Sequence, residues 1–341
     1  MRTRVTTALG IQHPVLSAGM GPMTNLDLVA AVSNAGGLGI LGAFHLSGEQ
    51  IHQQVAALRT RTTRPFALNL LLAFCTAEQI QACLEAQVPV LSTAWGDPTD
   101  VARQANAARI PHVHMVTTAA EAVVAARAGV TVIAAQGNEA GGGLVGPVCS
   151  LPLIPAVIDA LNAEPRESER PPVIAAGGVA DGRGLVAALA LGAEGVLIGT
   201  RFLATFEAPV TAARKEAICV ARETDTVYTP IANLVSRPTW ASVAPSRVLR
   251  TRAIEEWLGR EHELAAATQA ERRSVADRWA QARDEGRIDG MEIITGQDCG
   301  LIHDVLPAAE VVRRVVAEAE DTLRRLAAQY MSSEDDGRYL D

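Results

Sequence analysis

Two glycine-rich turns carry the clearest chemical signal in the sequence. Ala175–Gly182 reads AAGGVADG and Ile198–Phe202 reads IGTRF. Each turn closes an apolar run, so Gly177, Gly178 and Gly199 bring bare backbone N–H groups to the end of a strand. Thr200 adds a hydroxyl, and a helix starting near Asp181 adds an N-terminus. Converging N–H groups beside a helix N-terminus suit a phosphate dianion. Glycines also occupy tight turns that hold nothing, but these two fall on the last two repeats of the chain's main pattern, where barrel phosphate sites recur. Two further sets fit G-x-G-x-x-G: Gly37, Gly39 and Gly42, and Gly141, Gly143 and Gly146. The first follows a helix and leads into a strand. In the second, Pro147 and Cys149 delay the next helix. Neither has the strand–turn–helix order of a dinucleotide fingerprint.

The elements that must position these turns are legible as a repeat. Apolar runs occur at Pro14–Met20, Leu38–Ala43, Phe66–Leu72, Val88–Trp95, His112–Thr117, Val130–Gln136, Pro172–Val179 and Gly195–Leu203. Helical patterns lie between them, as at Asn25–Gly36, Gly48–Arg59, Thr76–Gln87, Ala119–Gly129 and Asp181–Gly192. Unbroken apolar runs suit strands buried on both faces, and helical crossovers make them parallel. Periodicity alone leaves an open doubly wound sheet or a closed barrel; a count of about eight units favours a (β/α)₈ TIM barrel. The rhythm then changes. Residues 1–221 read as the barrel, 222–300 as a helical, charged insertion after the eighth strand, and 301–331 as a C-terminal helix packing back on the barrel. The insertion is either a surface extension or a roof that shapes the substrate site. Residues 332–341 read as a polar tail, and Glu164–Pro171 as a solvated connection.

Composition sets limits. The chain has 341 residues, 48% hydrophobic and 20% charged, with only 4% aromatic, so Ala, Val, Leu and Ile must build the core. Its net charge of −8 and pI of about 5.5 offer no basic footprint for nucleic acid. Lys215 is the sole lysine, which argues against Schiff-base chemistry. Five scattered cysteines have neither metal-ligand nor redox spacing. No metal site is expected. The N-terminal MRTRVTTALGIQHPV lacks an apolar signal core and no stretch suits a bilayer, so a cytoplasmic protein acting on a small molecule is expected, away from membranes. Exposed Ala-rich helices are compatible with a homodimer.

The glycine-rich blocks together resemble the nitronate monooxygenase family, formerly the 2-nitropropane dioxygenases, which includes flavin-type enoyl-ACP reductases and NADH:quinone reductases. The resemblance runs through HPVLSAGM (His13–Met20), AVSNAGGLGILGA (Ala31–Ala43), FALNLLL, QGNEAGG (Gln136–Gly142), GGVADGRGLVAALALGAEGVLIGTRFLAT (Gly177–Thr205) and TGQDCGLI (Thr295–Ile302). It implies non-covalent FMN at the barrel mouth. By that likeness Gln136 and Gly141 sit beside the flavin and Asn69 hydrogen-bonds to it. Gly178 with Leu197, Ile198, Gly199 and Thr200 holds its phosphate, and Gly19 and Met20 back the ring.

Departures from the family pattern bear on mechanism. Relatives commonly read E-A-G-G-H, with the histidine taken as catalytic; here Gly143 stands at that place. Ser17 replaces a glutamine, and Met115 stands where some relatives carry lysine. His45 and His114 are the candidate replacements for the missing imidazole. Glu139 is a further candidate but reads better as an organiser of its loop, and Cys75 as a packing residue. The expected activity is oxidation of a nitronate or similarly stabilised carbanion by O₂. The alternatives are NAD(P)H-dependent reduction of an enoyl thioester or quinone, and a redox-inert flavin-binding accessory protein.

Overall fold

The computed structural model describes residues 1–165, 169–241 and 243–331. The tail expected at 332–341 and the middle of the Glu164–Pro171 connection lie outside the described residues.

The strands are β1 (Val15–Ser17), β2 (Gly39–Gly42), β3 (Phe66–Leu71), β4 (Val90–Ala94), β5 (His112–Val116), β6 (Val132–Gln136), β7 (Gly142–Gly143), β8 (Val173–Ala176), β9 (Val196–Ile198), β10 (Thr226–Thr229) and β11 (Ser246–Leu249). Eight of them form one parallel sheet in the order β1-β9-β8-β6-β5-β4-β3-β2. A parallel bridge between Leu16 and Leu38 joins its two ends, so the sheet closes into a (β/α)₈ barrel. Ser17 N donates to Leu38 O at 3.0 Å, and Leu38 N to Val15 O at 3.0 Å. Ser17 Oγ accepts from Ile40 N at 3.2 Å. Ser17 therefore patches the seam of the barrel and does not line the cavity described below.

The apolar runs are continuous because each strand is buried on both faces. Inward-facing Leu16, Leu38, Ile40, Val90, Val113, Val132, Ile174 and Leu197 share one core with Val5, Leu9 and Ile11. The short helix Arg4–Leu9 thus packs against the barrel interior, a contact with no signature in the repeat. Outward-facing residues such as Leu41, Leu68, Leu70 and Leu91 meet the helices. The helix Ala308–Tyr330 buries Val311, Val312, Val315, Val316 and Ala319, and Glu318 Oε2 accepts from Gly182 N at 3.0 Å.

The 222–300 segment is not helical throughout. β10 and β11 pair antiparallel, and β11 pairs with β7, which belongs to the loop after β6. Arg247 of β11 fixes that junction: Nε donates to Asn138 O at 3.0 Å, Nη2 to Asn138 Oδ1 at 2.9 Å and Nη1 to Thr226 Oγ1 at 3.2 Å. The strands are too short, and too polar at Thr226, Thr229 and Ser246, to show an alternating pattern in sequence. Pairing with a barrel loop is a non-local event. Among the described residues, no helix is long and apolar enough to cross a membrane.

Candidate functional site

A cavity of about 340 Å³ opens at the C-terminal end of the barrel strands, the end at which barrel enzymes place their sites. The barrel loops line it together with residues of the 222–300 segment, among them Asn233, Arg237, Trp240, Arg283, Glu292, Thr295 and Asp298.

Gly19, Met20, Asn69, Gln136, Gly141, Gly177, Leu197, Ile198, Gly199 and Thr200 all line this cavity. Gly178 does not, although it adjoins Gly177 in the same turn. Gly177 and Gly178 have φ of +94° and +74°, backbone that an L side chain rarely adopts. Among the described residues no protein acceptor takes the N–H of Gly177, Gly178 or Gly199. On the opposite side Asn69 Nδ2 donates to Ser92 Oγ at 3.0 Å, and Gln136 Oε1 is buried without a partner. A buried amide oxygen in that state is costly unless a ligand meets it.

The helix after the first glycine turn does not contribute its N-terminus. Asp181 caps it, accepting from Arg183 N at 2.9 Å and Gly184 N at 3.3 Å, while Glu318 takes Gly182 N. Those donors are consumed by the protein's own carboxylates, which corrects the expectation of a helix-dipole contribution there.

Thr200 joins the second turn to the far segment. Its Oγ1 accepts from Gly296 N at 2.9 Å, and Gln297 N donates to Glu139 O at 2.9 Å. Gly141 lies against this strand of chain so closely that a Cβ there would fall 2.6 Å from Gly296 N. Asp298 follows, buried at the cavity wall; burial pushes its carboxyl up to about 7, against the opposing hydrogen bond from Thr200. Glu139 accepts from Ser150 N at 2.9 Å and Ser150 Oγ at 3.1 Å, so it fixes the start of the helix Ser150–Ala163.

The expectation that His114 reaches the site is corrected. Alternation along β5 turns Met115 into the cavity and His112 and His114 outward, between strand and helices. Both rings are buried and share one hydroxyl: Thr93 Oγ1 lies 2.6 Å from His112 Nε2 and 2.7 Å from His114 Nδ1. One hydroxyl has one proton to give, so it accepts from one ring and donates to the other. His112 Nδ1 has no partner. A bare lone pair is easier to leave there than an N–H, so His112 donates from Nε2 and Thr93 donates to His114. Burial pushes the rings down to about 3 and about 4, which keeps both neutral. His45 does not line the cavity either. It is exposed, edge-on to Phe44 at 5.4 Å between centroids, and partial desolvation lowers its pKa. Cys75 is a packing neighbour of the outer core.

Sequence reasoning missed the aromatic wall. Phe44, Phe74, Trp95 and Trp240 contact one another: Phe74 stacks on Trp240 at 5.4 Å, and Trp95 stands edge-on to Trp240 at 5.3 Å. Much of the chain's scarce aromatic content is gathered here. Trp95 sits immediately after β4 with φ +62°, a left-handed conformation that costs a non-glycine residue about 1–2 kcal/mol. Its indole fills the space beside Gly143. Arg214, Arg237, Arg283, Glu292 and Asp298 were missed as well. Of these only Asp298 had a signal, its place within the TGQDCGLI block. Among the described residues no group of three or more His, Cys, Asp or Glu is placed to hold a metal ion.

A family model described as nitronate monooxygenase matches residues 2–78 and 73–318. A probable nitronate monooxygenase of Staphylococcus saprophyticus is 34% identical over 278 residues, 68% of this chain and 76% of that protein. A 5-hydroxy-7a-methyl-1-oxo-octahydro-1H-indene-4-carboxyl-CoA dehydrogenase of Rhodococcus jostii is 38% identical over 211 residues, 62% of this chain and 57% of that protein. Among solved structures, FabK from Thermotoga maritima superposes with a TM-score of 0.81 at 32% identity, over 96% of this chain and 99% of that one. A nitroalkane oxidase from Streptomyces ansochromogenes gives 0.81 at 26% identity, over 95% and 100%. The chain belongs to the nitronate monooxygenase family and is a flavin-dependent oxidoreductase of that family.

Proposed function

We propose that the protein binds FMN without a covalent link and oxidises an already deprotonated, resonance-stabilised carbanion, a nitronate or its chemical equivalent, with O₂ as final electron acceptor. The residues fit the cofactor. The free N–H groups of Gly177, Gly178 and Gly199 with the Thr200 turn would hold the phosphate, and Gln136 Oε1 has no other partner. Asn69 would add a hydrogen bond, and Gly19, Met20 and Gly141 would frame the ring. FMN supplies a two-electron acceptor that O₂ can reoxidise. The protein's part is to bind the carbanion, orient it and exclude water.

One observation carries the choice of substrate: the cavity wall has no histidine and no lysine among the described residues. Its two carboxylates are Asp298, which meets Thr200, and Glu292, which lies near Arg214 and Arg237 with no ion pair among the described residues. A nitronate arrives without the proton that a neutral nitroalkane must lose to a base. Propane-2-nitronate should therefore bleach the flavin anaerobically, and air should restore the colour. Neutral 2-nitropropane should react roughly a hundredfold more slowly. Equal rates for the two forms would sink this reading.

The likeness to FabK at 32% identity supports a second reading, NAD(P)H-dependent reduction of an enoyl thioester or quinone. Anaerobic NADH and NADPH discriminate: rapid bleaching by either favours the reductase. Flavin that stays oxidised with every donor would leave only a redox-inert binding role.

A further inference from the structure

Three guanidinium groups and one carboxylate converge on the cavity from four separate segments. Arg214 comes from the helix Ala212–Val220 and Arg237 follows the helix Ile231–Ser236. Arg283 lies in the last turn of the helix Gln269–Asp284, and Glu292 follows the turn Ile288–Gly290. All four line the cavity. Gathering three like charges on a partly desolvated wall is unfavourable unless something answers them.

Little in the protein does. Arg214 is only 8% exposed; one of its terminal nitrogens donates to Glu292 O at 2.7 Å, the other lies 3.8 Å from Met23 Sδ, and Nε has no partner. Arg237 rests over the Trp240 ring at 5.2 Å from the centroid. Among the described residues, the side chains of Arg237 and Arg283 make no hydrogen bond, and no ion pair reaches any of the three arginines or Glu292. Arginine does not shed its proton in a protein, so the wall keeps an excess of positive charge with its donors free. Burial and the neighbouring arginines lower the pKa of Arg214, and burial and Arg283 lower that of Arg237. Glu292 is the one group that opposes both shifts.

The cofactor does not account for this wall, because its phosphate is matched by the glycine turns near Thr200 and Asp298. We infer that the organic substrate carries an anionic group, with carboxylate or phosphate oxygens, that docks on Arg237 and Arg283 beside Arg214 while its apolar body lies against Phe44, Trp95 and Trp240. Planar guanidinium forks suit either oxyanion, and aromatic faces suit a hydrophobic stem. This assignment rests on the flavin reading of the same cavity and adds the class of molecule presented to it.

The test titrates the purified protein with octanoate, octyl phosphate and neutral octanamide. Binding is followed by the visible spectrum and by tryptophan fluorescence, to which Trp95 and Trp240 contribute. Both anions should bind at least about tenfold more tightly than the amide, as a charge-assisted hydrogen bond requires. A further preference for octyl phosphate identifies a phosphate-bearing substrate; parity with octanoate identifies a carboxylate. Arg237→Gln and Arg283→Gln should each lose that anion preference while keeping octanamide binding and the yellow colour. The inference is overturned by equal affinity for octanoate and octanamide, or by Gln variants that retain the preference. It is also overturned if the Gln variants lose FMN instead, which would assign the arginines to the cofactor. A colourless wild-type protein would defeat the flavin reading alone, since fluorescence still reports the anions.

Discussion

A Cβ built on Gly143 would fall 2.5 Å from Cη2 of Trp95, and closer still to Cζ2. The glycine at this position is therefore a steric requirement of the indole beside it, and the two residues form one unit of the cavity wall. Restoring an imidazole with Gly143→His should cost about 1–3 kcal/mol through overpacking. Pairing it with Trp95→Ala should recover part of that loss. Thermal unfolding of the two single variants and the double variant checks this; additive effects would contradict a shared volume.

Thr200 Oγ1 is the buried acceptor for Gly296 N. Thr200→Val keeps the shape and leaves that N–H unmet, a loss of about 1–3 kcal/mol. FMN affinity should fall roughly tenfold or more by the same arithmetic, whereas Thr200→Ser should stay near wild type. Equilibrium dialysis against FMN, beside a thermal melt, measures both.

Asp298 introduces a pH dependence with a definite sign. Its folded pKa of about 7 lies above the unfolded value of about 3.9. Between those values the folded state holds a proton that the unfolded state lacks. Its contribution to stability is thus present at low pH and is lost as pH rises toward about 7. Above that point the ionised carboxylate also faces the proposed phosphate site beside Thr200. FMN affinity should weaken roughly tenfold between about pH 6 and about pH 8, and Asp298→Asn should flatten the profile. A pH-independent dissociation constant in the parent protein would count against this placement.

The Thr93 pair with His112 and His114 predicts the opposite slope. Both rings are held neutral, with pKa values of about 3 and about 4 against about 6.5 unfolded. Their contribution is present above about pH 6.5 and is lost as pH falls toward 4, because the unfolded chain binds protons first. Thr93→Val should destabilise by about 2–3 kcal/mol, two buried hydrogen bonds. It should leave turnover per bound flavin unchanged. Denaturant titrations at several pH values and a flavin-normalised assay separate the two; a loss of turnover at full flavin content would return His114 to the chemistry.

Local pattern carried the barrel and the glycine turns. Apolar runs such as Phe66–Leu72 and Val130–Gln136 are continuous because both faces of each strand are buried, and that property is written in consecutive residues. Gly177 announced itself for a similar reason: its turn at a strand end, with φ of +94°, demands glycine locally. The direction of His114 was the first thing sequence left open, since alternation yields two faces without saying which is inward. Closure at Leu16–Leu38, the pairing of Gly143 with Ser246, the indole beside Gly143 and the convergence of Arg214, Arg237 and Arg283 were decided by tertiary structure alone. Each joins residues far apart in the chain, and arginines scattered through a helical segment look solvated until folding removes the water around them.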